Sequence, residues 1–221
     1  LFAALQVRRY VAVDISADYL RESLEFLQQK QPAIDMLGVG LDFSQRLTLP
    51  PEVGGGPRTL FYPGSSIGNF TPEEALDFLR RAHAECNGGA LLIGVDLLKP
   101  VDVLEAAYDD PLGVTAAFNR NLLLHLNRLA ATDFRIRDWR HVAFFNAAHS
   151  RIEMHLEAVR ETVVHWHEGE RRFAAGERMH TENSYKWRVD DFAALLQRAG
   201  FSRLRHWTDA RKWFAVFSAA C

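Results

Sequence analysis

Asn69 sits near the end of the run Phe61-Tyr62-Pro63-Gly64-Ser65-Ser66-Ile67-Gly68-Asn69-Phe70, where two glycines and two serines let the backbone approach a ligand closely. Its amide both donates and accepts, so it could hold a carboxylate without adding charge. An ordinary strand-to-helix turn is the competing reading. Asp14 ends an apolar, β-branched run, a position from which an acid accepts hydrogen bonds from ribose hydroxyls in nucleotide-type α/β units. It could equally cap the helix that follows. Asp42-Phe43 closes the next strand, where an acid can accept from an adenine amino group while an aromatic covers the ring; simple loop chemistry explains the pair as well. Tyr108-Asp109-Asp110 ends a helix, with Phe118-Asn119-Arg120-Asn121 on the next one, and a solvated acidic turn is the plain alternative. Two later runs are Arg151-Ile152-Glu153-Met154-His155 and Thr181-Glu182-Asn183-Ser184-Tyr185-Lys186. If the second is extended, Glu182 and Ser184 point to one face and could grip a single polar ring; otherwise it is an exposed polar strand. The nine histidines show no H-x-x-x-H or cysteine-partnered spacing, so none is expected to ligate a metal. No G-x-S-x-G elbow supplies a hydrolase nucleophile.

The elements that must position these groups alternate. Tyr10 to Asp14 suits a buried parallel strand. Ser16 is placed to cap a helix carrying Leu20, Leu24 and Leu27, which closes near Gln31-Pro32. Met36 to Phe43, Thr59 to Tyr62 and Ala90 to Val95 read as further strands. Thr71-Pro72-Glu73-Glu74 opens a helix with a threonine cap, proline at its first position and Glu74 placed for a capping box. Such alternation implies a parallel sheet with right-handed crossovers and ligands at the carboxyl ends of the strands. Gly-rich Val53 to Gly56 has no helix after it and reads as a surface loop, not a phosphate cradle. From Lys99 the pattern changes: helical spacing over Val101 to Tyr108 and Thr115 to Arg128, then strand-like Ile152 to Leu156 and Val163 to Trp166, which suggests a cap or insertion. Val189 to Ala199 is a helix stopped by Gly200, and Arg203 to Ala219 reads as two strands around a Thr208 to Lys212 turn.

Bulk properties exclude several classes. The 221 residues suffice for one α/β domain with a substantial insertion, and 48% hydrophobic with 24% charged residues is an ordinary globular balance. Lys plus Arg total 26 against 28 Asp plus Glu, so there is no broad positive field for nucleic acid. Cys86 and Cys221 lie far apart in the chain, which suggests neither a disulfide nor a cysteine metal site and fits a reducing cytosol. No apolar run approaches the ~20 residues of a membrane helix, and no signal-peptide layout opens the chain. A cytoplasmic monomer is expected. Leu1-Phe2-Ala3-Ala4-Leu5-Gln6 reads as the tail of an amphipathic helix without an initiating Met, so a segment upstream is expected.

In wording and order the chain resembles the histidine-specific N-methyltransferases that make the trimethylated histidine of ergothioneine biosynthesis. The matching pieces are Val13-Asp14-Ile15-Ser16, Asp42-Phe43, Tyr62 through Phe70, Ala107 through Asp110, Gly113 through Asn119, Arg151 through Met154 and Thr181 through Lys186, seven in order over nearly the whole chain. The resemblance implies an α/β fold, a Rossmann-like class I methyltransferase core over 1–98 and 187–221, and an α+β substrate-binding insertion over 99–186. It implies S-adenosylmethionine as cofactor, with Asp14 on the ribose and Asp42-Phe43 bracketing the adenine. Gly64, Asn69 and Tyr108 would hold the amino and carboxylate groups of a small amino acid, Glu182 and Ser184 its imidazole, and Met154 would line the same pocket. The family's glycine-rich cofactor loop and substrate-gating aromatic segment correspond to residues upstream of Leu1.

The implied reaction is in-line attack of a neutral amine on a sulfonium methyl, in which holding the amine ~3 to 3.5 Å from the methyl removes ~7 to 11 kcal/mol of barrier. Asn69 and Tyr108 would carry this catalysis by orientation, and no nucleophilic side chain is needed. An N-methyltransferase for a tryptophan-type amino acid, or an inactive binding protein on the same scaffold, are the alternatives. A buried carboxylate facing a ring N–H discriminates strongly against rings lacking that donor. Glu182→Ala in the full-length enzyme is therefore expected to weaken histidine binding at least tenfold, about 1.4 kcal/mol; unchanged affinity by calorimetry would refute the role.

Overall fold

The computed structural model describes residues 2–221. A short helix α1 (Phe2–Leu5) precedes β1 (Arg9–Asp14), α2 (Ala17–Lys30) and β2 (Asp35–Gly40). β1 and β2 pair in parallel from Arg9↔Asp35 to Asp14↔Gly40. β2 ends at Gly40, shorter than the sequence suggests: Asp42 accepts from the Ser44 N–H and hydroxyl, and that turn takes Asp42-Phe43 out of the strand. Ser16 occupies the position before α2, but its side chain makes no cap bond; its own N–H donates instead to Asp14 Oδ1 at 2.8 Å.

The second sheet has the order β10-β11-β4-β3. β3 (Thr59–Tyr62) and β4 (Ala90–Asp96) are parallel, joined by α3 (Pro72–Cys86). The capping box forms as its residues dictate, with Glu74 N–H donating to the Thr71 hydroxyl and Thr71 N–H to the Glu74 carboxylate. The terminal hairpin β10 (Ser202–Thr208) and β11 (Phe214–Ala220) adds two antiparallel strands against β4. Ile93, Val95, Phe217, Leu79 and Phe192 make the fully buried centre of this layer. Phe192 comes from α6 (Val189–Arg198), followed by Gly200 at φ +107°. Within the same core Cys86 and Cys221, far apart in the chain, come together as free thiols; burial and the neighbouring Cys221 push the Cys86 thiol far up.

Between these lie α4 (Val101–Tyr108), α5 (Val114–Leu129) and the antiparallel sheet of β5 (Trp139–Asn146), β6 (Arg151–Ala158) and β9 (Arg178–Tyr185), with a hairpin of β7 (Thr162–Trp166) and β8 (Gly169–Phe173). One face of this sheet buries Ile152 and Met154 against Leu104 of α4, and Leu156 and Trp139 against Leu123 of α5. A bulge between Met154 and His155 leaves Thr181 unmatched. Its consequence is that Glu182, opposite Met154, and Ser184, opposite Ile152, lie on the face toward α4.

Three contacts bring the parts to one rim. Phe43, just past β2, meets Tyr62 at the end of β3 with ring centroids 5.8 Å apart. Gly68 lies so near the end of β9 that a Cβ there would be 3.0 Å from Tyr185 O. Leu97, just past β4, bridges to Trp187, just past β9. Gly94 has a stricter requirement than Gly68: a Cβ would fall 2.0 Å from Pro63 O, the residue that starts the Gly64–Asn69 turn. Gly94→Ala is thus expected to cost about 1–3 kcal/mol or more by overpacking, read as a lowered denaturant midpoint. Gly55→Ala, which adds a Cβ into open space, should leave the midpoint in place.

Candidate active site

After β3 the chain turns sharply. Ser65 adopts φ +60°, an uncommon conformation for a residue with a side chain, and a 3-10 turn over Ser66–Asn69 follows. Ser65 is held there by the end of β4, because the Asp96 N–H donates to its hydroxyl at 2.7 Å. The turn therefore faces Tyr108, the last residue of α4, and the end of β9. The hollow between them has a volume of about 280 Å³. Gly64, Asn69, Tyr108 and Ser184 line it, together with Ser65, Ser66, Asp96, Lys186 and Phe214.

The chemistry at its floor is dense. Lys186, its side chain fully buried, donates to Tyr108 Oη at 2.9 Å and Ser184 Oγ at 2.7 Å, and forms an ion pair with Asp96 Oδ2 at 2.9 Å. The two hydroxyl oxygens are 2.7 Å from each other. Asp96 Oδ1 also accepts from Lys99 at 2.5 Å, so the one acid in the lining is paired twice. Behind Tyr108 a second chain of contacts fixes the end of α4: its carbonyl oxygen lies 2.8 Å from His141 Nε2, and His141 Nδ1 is 2.9 Å from the buried Asn119 amide. That is a structural role for Asn119.

Sequence-selected residues fall into three groups. Gly64, Asn69, Tyr108 and Ser184 converge on the hollow. Glu182 and Met154 lie one residue pair further along the sheet on the same face, outside the lining; Met154 is packed with Leu104 and Ile152, with Tyr108 against that cluster. Burial pushes the Glu182 carboxyl above the usual range, while the Lys186 ammonium draws it back down. Asp14 and Asp42 stand at the adjacent carboxyl ends of β1 and β2, tied by the Leu41 N–H to Asp14 O bond, and they too are outside the hollow. Phe43 packs edge-on against Tyr62 and Phe78, so its ring belongs to the core beneath that rim.

The acids fit the cofactor that the family implies. Each spends Oδ1 on a local turn, to Ser16 N–H and to Ser44, and Oδ2 of each has no protein donor among the described residues. Two acceptors at neighbouring strand ends are what a ribose diol and an exocyclic amine require.

Lys186 and Asp96 were not singled out by sequence reasoning. Asp96 had a usable signal, an acid ending a parallel strand, but Lys186 reads as one more polar residue of a β-strand. Elsewhere, Glu153, His155 and His180 bring potential ligand atoms within 4.8 Å of one another, a grouping that linear spacing hides. There Glu153 is already held by Arg151 and Asn146, and burial holds the His155 imidazole below its ordinary value. A larger depression of about 490 Å³ lies between the second half of α2 and Met36 at the start of β2, the wrong end of the strand for the chemistry above.

A parallel-strand rim with free acid oxygens, beside a polar hollow closed by a second sheet, defines an α/β enzyme of the methyltransferase class. The chain belongs to the histidine-specific, S-adenosylmethionine-dependent methyltransferase family, whose model matches residues 1–221. It is 38% identical over 226 residues to the histidine N-alpha-methyltransferase of Mycobacterium tuberculosis, covering 97% of this chain and 67% of that protein. It is 40% identical to the protein of the same name from Mycolicibacterium smegmatis, covering 92% and 64%. Ergothioneine biosynthesis protein 1 of Schizosaccharomyces pombe is 26% identical, with 70% of this chain and 21% of that protein covered. The chain thus spans about two thirds of the length of the two bacterial relatives. No helix of the described residues is long and apolar enough to cross a membrane.

The raised Glu182 carboxyl predicts a pH signature. An unfolded glutamate titrates near ~4.3; the folded one holds its proton to higher pH, so the native state loses stability as pH rises from the ordinary value through the raised one. Glu182→Gln should melt above the parent at pH 8, and the advantage should vanish near ~pH 4, measured by calorimetric scans across pH.

Proposed function

We propose that this chain carries the machinery for methylating the α-amino group of L-histidine to trimethylhistidine, for ergothioneine biosynthesis, in the cytoplasm. The observation that carries this reading is the meeting of Gly64, Asn69, Tyr108 and Ser184, from three separate elements, in one hollow beside a strand-end rim. Residues 1–98 and 187–221 form the cofactor-binding core in this reading, and 99–186 the substrate insertion. Support comes from the sheet β5-β6-β9, built wholly within the second range and buried against its own helices.

S-adenosylmethionine, when bound, supplies an electrophilic sulfonium methyl. Asp14 and Asp42 hold its ribose and adenine through their free oxygens, and Phe43 backs the adenine from the core. Asn69 and Tyr108 fix the amino acid's zwitterion so that the amine lone pair is aimed along one line. Both are neutral, so they orient the substrate without locking a cationic, methylated head group in place. Glu182 accepts the ring N–H, and its partial burial makes the carboxylate costly to leave unpaired, which disfavours rings without the donor. Gly64 lets the backbone close on the head group, and Met154 gives the pocket an apolar wall.

Full-length protein with S-adenosylmethionine and a panel of amino acids is expected to methylate histidine and leave tryptophan unmodified. Asn69→Ala should lower kcat/KM for histidine by roughly 10- to 100-fold, the worth of a hydrogen bond to a charged group, while the thermal shift given by S-adenosylhomocysteine stays as in the parent. Equal turnover in that variant would remove Asn69 from the mechanism.

A further inference from the structure

Lys186 and its ion-pair partner Asp96 are titratable groups of the hollow without a part in that mechanism, and the surroundings of Lys186 say what it does. An ammonium has three N–H donors and no acceptor. Two are spent on Tyr108 Oη and Ser184 Oγ, and the ammonium is paired with the Asp96 carboxylate at 2.9 Å. With its side chain fully buried and its charge paired, Lys186 acts on a ligand through these neighbours. What it does is occupy a lone pair on each of the two hydroxyls that line the hollow.

The proton count then follows. Tyr108 and Ser184 own one hydroxyl proton each. Without a ligand, their 2.7 Å contact uses one of the two, and the other is left over for a ligand. A ligand with two acceptors can replace the mutual bond, and both protons then turn outward. Because the ammonium already takes a lone pair of each oxygen, each has less acceptor capacity left while keeping its proton, which biases both toward donating to a ligand. Burial makes this polarity costly to reverse, since a fully buried ammonium stripped of its acceptors loses its solvation with nothing in return. Asp96, the one acid in the lining, is engaged by both Lys99 and Lys186 and does not compete for those protons.

We propose that Lys186 is a positioning and specificity-determining residue: it fixes Tyr108 and Ser184 as a pair of hydrogen-bond donors, Tyr108 toward the substrate carboxylate and Ser184 toward the lone-pair nitrogen of its imidazole. The proposal rests on the histidine reading above. It adds what Glu182 alone does not: Glu182 asks for a ring N–H, which indole also has, whereas a Ser184 biased toward donating favours a ring lone pair, which indole lacks. The two demands together describe a neutral imidazole. The phenol, the stronger acid of the two hydroxyls, is directed at the anionic group, where a charge-assisted bond is strongest.

The test uses the full-length enzyme and Lys186→Met. The expected result is a rise of at least tenfold in the histidine KM, a smaller fall in kcat as Tyr108 loses its fixed position, and an unaltered dissociation constant for S-adenosylhomocysteine. In the parent, histamine, which lacks the carboxylate, should inhibit much more weakly than histidine binds, and in the variant that gap should shrink at least fivefold. A KM increase with the histidine-to-histamine gap unchanged would mean that Lys186 only supports the fold, and overturns the proposal. So does an unchanged KM. Should the variant not fold, the parent still decides through nitrogen NMR of bound 15N-labelled histidine. One protonated ring nitrogen and one hydrogen-bonded lone-pair nitrogen support the donor role of Ser184; two protonated nitrogens overturn it. If the parent neither binds nor methylates histidine, the substrate reading itself falls, and this proposal with it.

Discussion

A buried ion pair holds the site together. Lys186 ends one sheet and Asp96 ends another, and their contact is where the strands of the parallel layer meet the antiparallel sheet that faces it. Taking two charges out of water usually costs about what their attraction returns, so such a pair is a poor device for stability alone. Its value is geometric. With three partners in fixed directions, the ammonium determines where Tyr108, Ser184 and Asp96 stand, and Asp96 in turn holds Lys99 and, through its N–H, the Ser65 turn. Losing Asp96 would leave the fully buried ammonium without its counter-charge, at roughly 3–5 kcal/mol.

Around that contact the division of labour follows from what each kind of backbone can do. Parallel strands end with unpaired carbonyls and N–H groups at one edge, so acids and tight turns collect there: Asp14, Asp42, the Gly64–Asn69 turn and Asp96. An antiparallel sheet offers instead a face with side chains every second residue. The bulge in β9 places Glu182 and Ser184 on it in succession, beside Met154. One layer therefore suits a nucleotide-like cofactor and the other a small ring, and α4 delivers Tyr108 to the seam.

Much of this was legible in the chain itself. β3, α4 and the capping box of α3 appear where spacing and cap residues place them, because each is decided by neighbours within a few positions. The Tyr62–Phe70 run announces a close-approach turn through its glycines and serines. Where reading along the chain strayed, side-chain-to-backbone bonds between residues two apart outweighed strand and cap preference: β2 stops before Asp42 because the Asp42–Ser44 hydrogen bonds form a turn, and the Ser16 side chain leaves the cap unmade while Asp14 takes the Ser16 N–H.

By itself, then, the sequence determined the alternation of elements, the residues competent to bind a zwitterion and a ring, and the family, since these depend on local preference and on residue types in order. Only the tertiary structure decided that Asn69, Tyr108 and Ser184 share one hollow while Asp14 and Asp42 stand outside it, that Cys86 and Cys221 are neighbours, and that Lys186 is a buried cation with three polar partners. Burial and partner choice are properties of surfaces meeting across the chain. Nothing in a residue's near neighbours sets them, and a lysine at the end of an alternating strand reads as solvated until a second sheet closes over it.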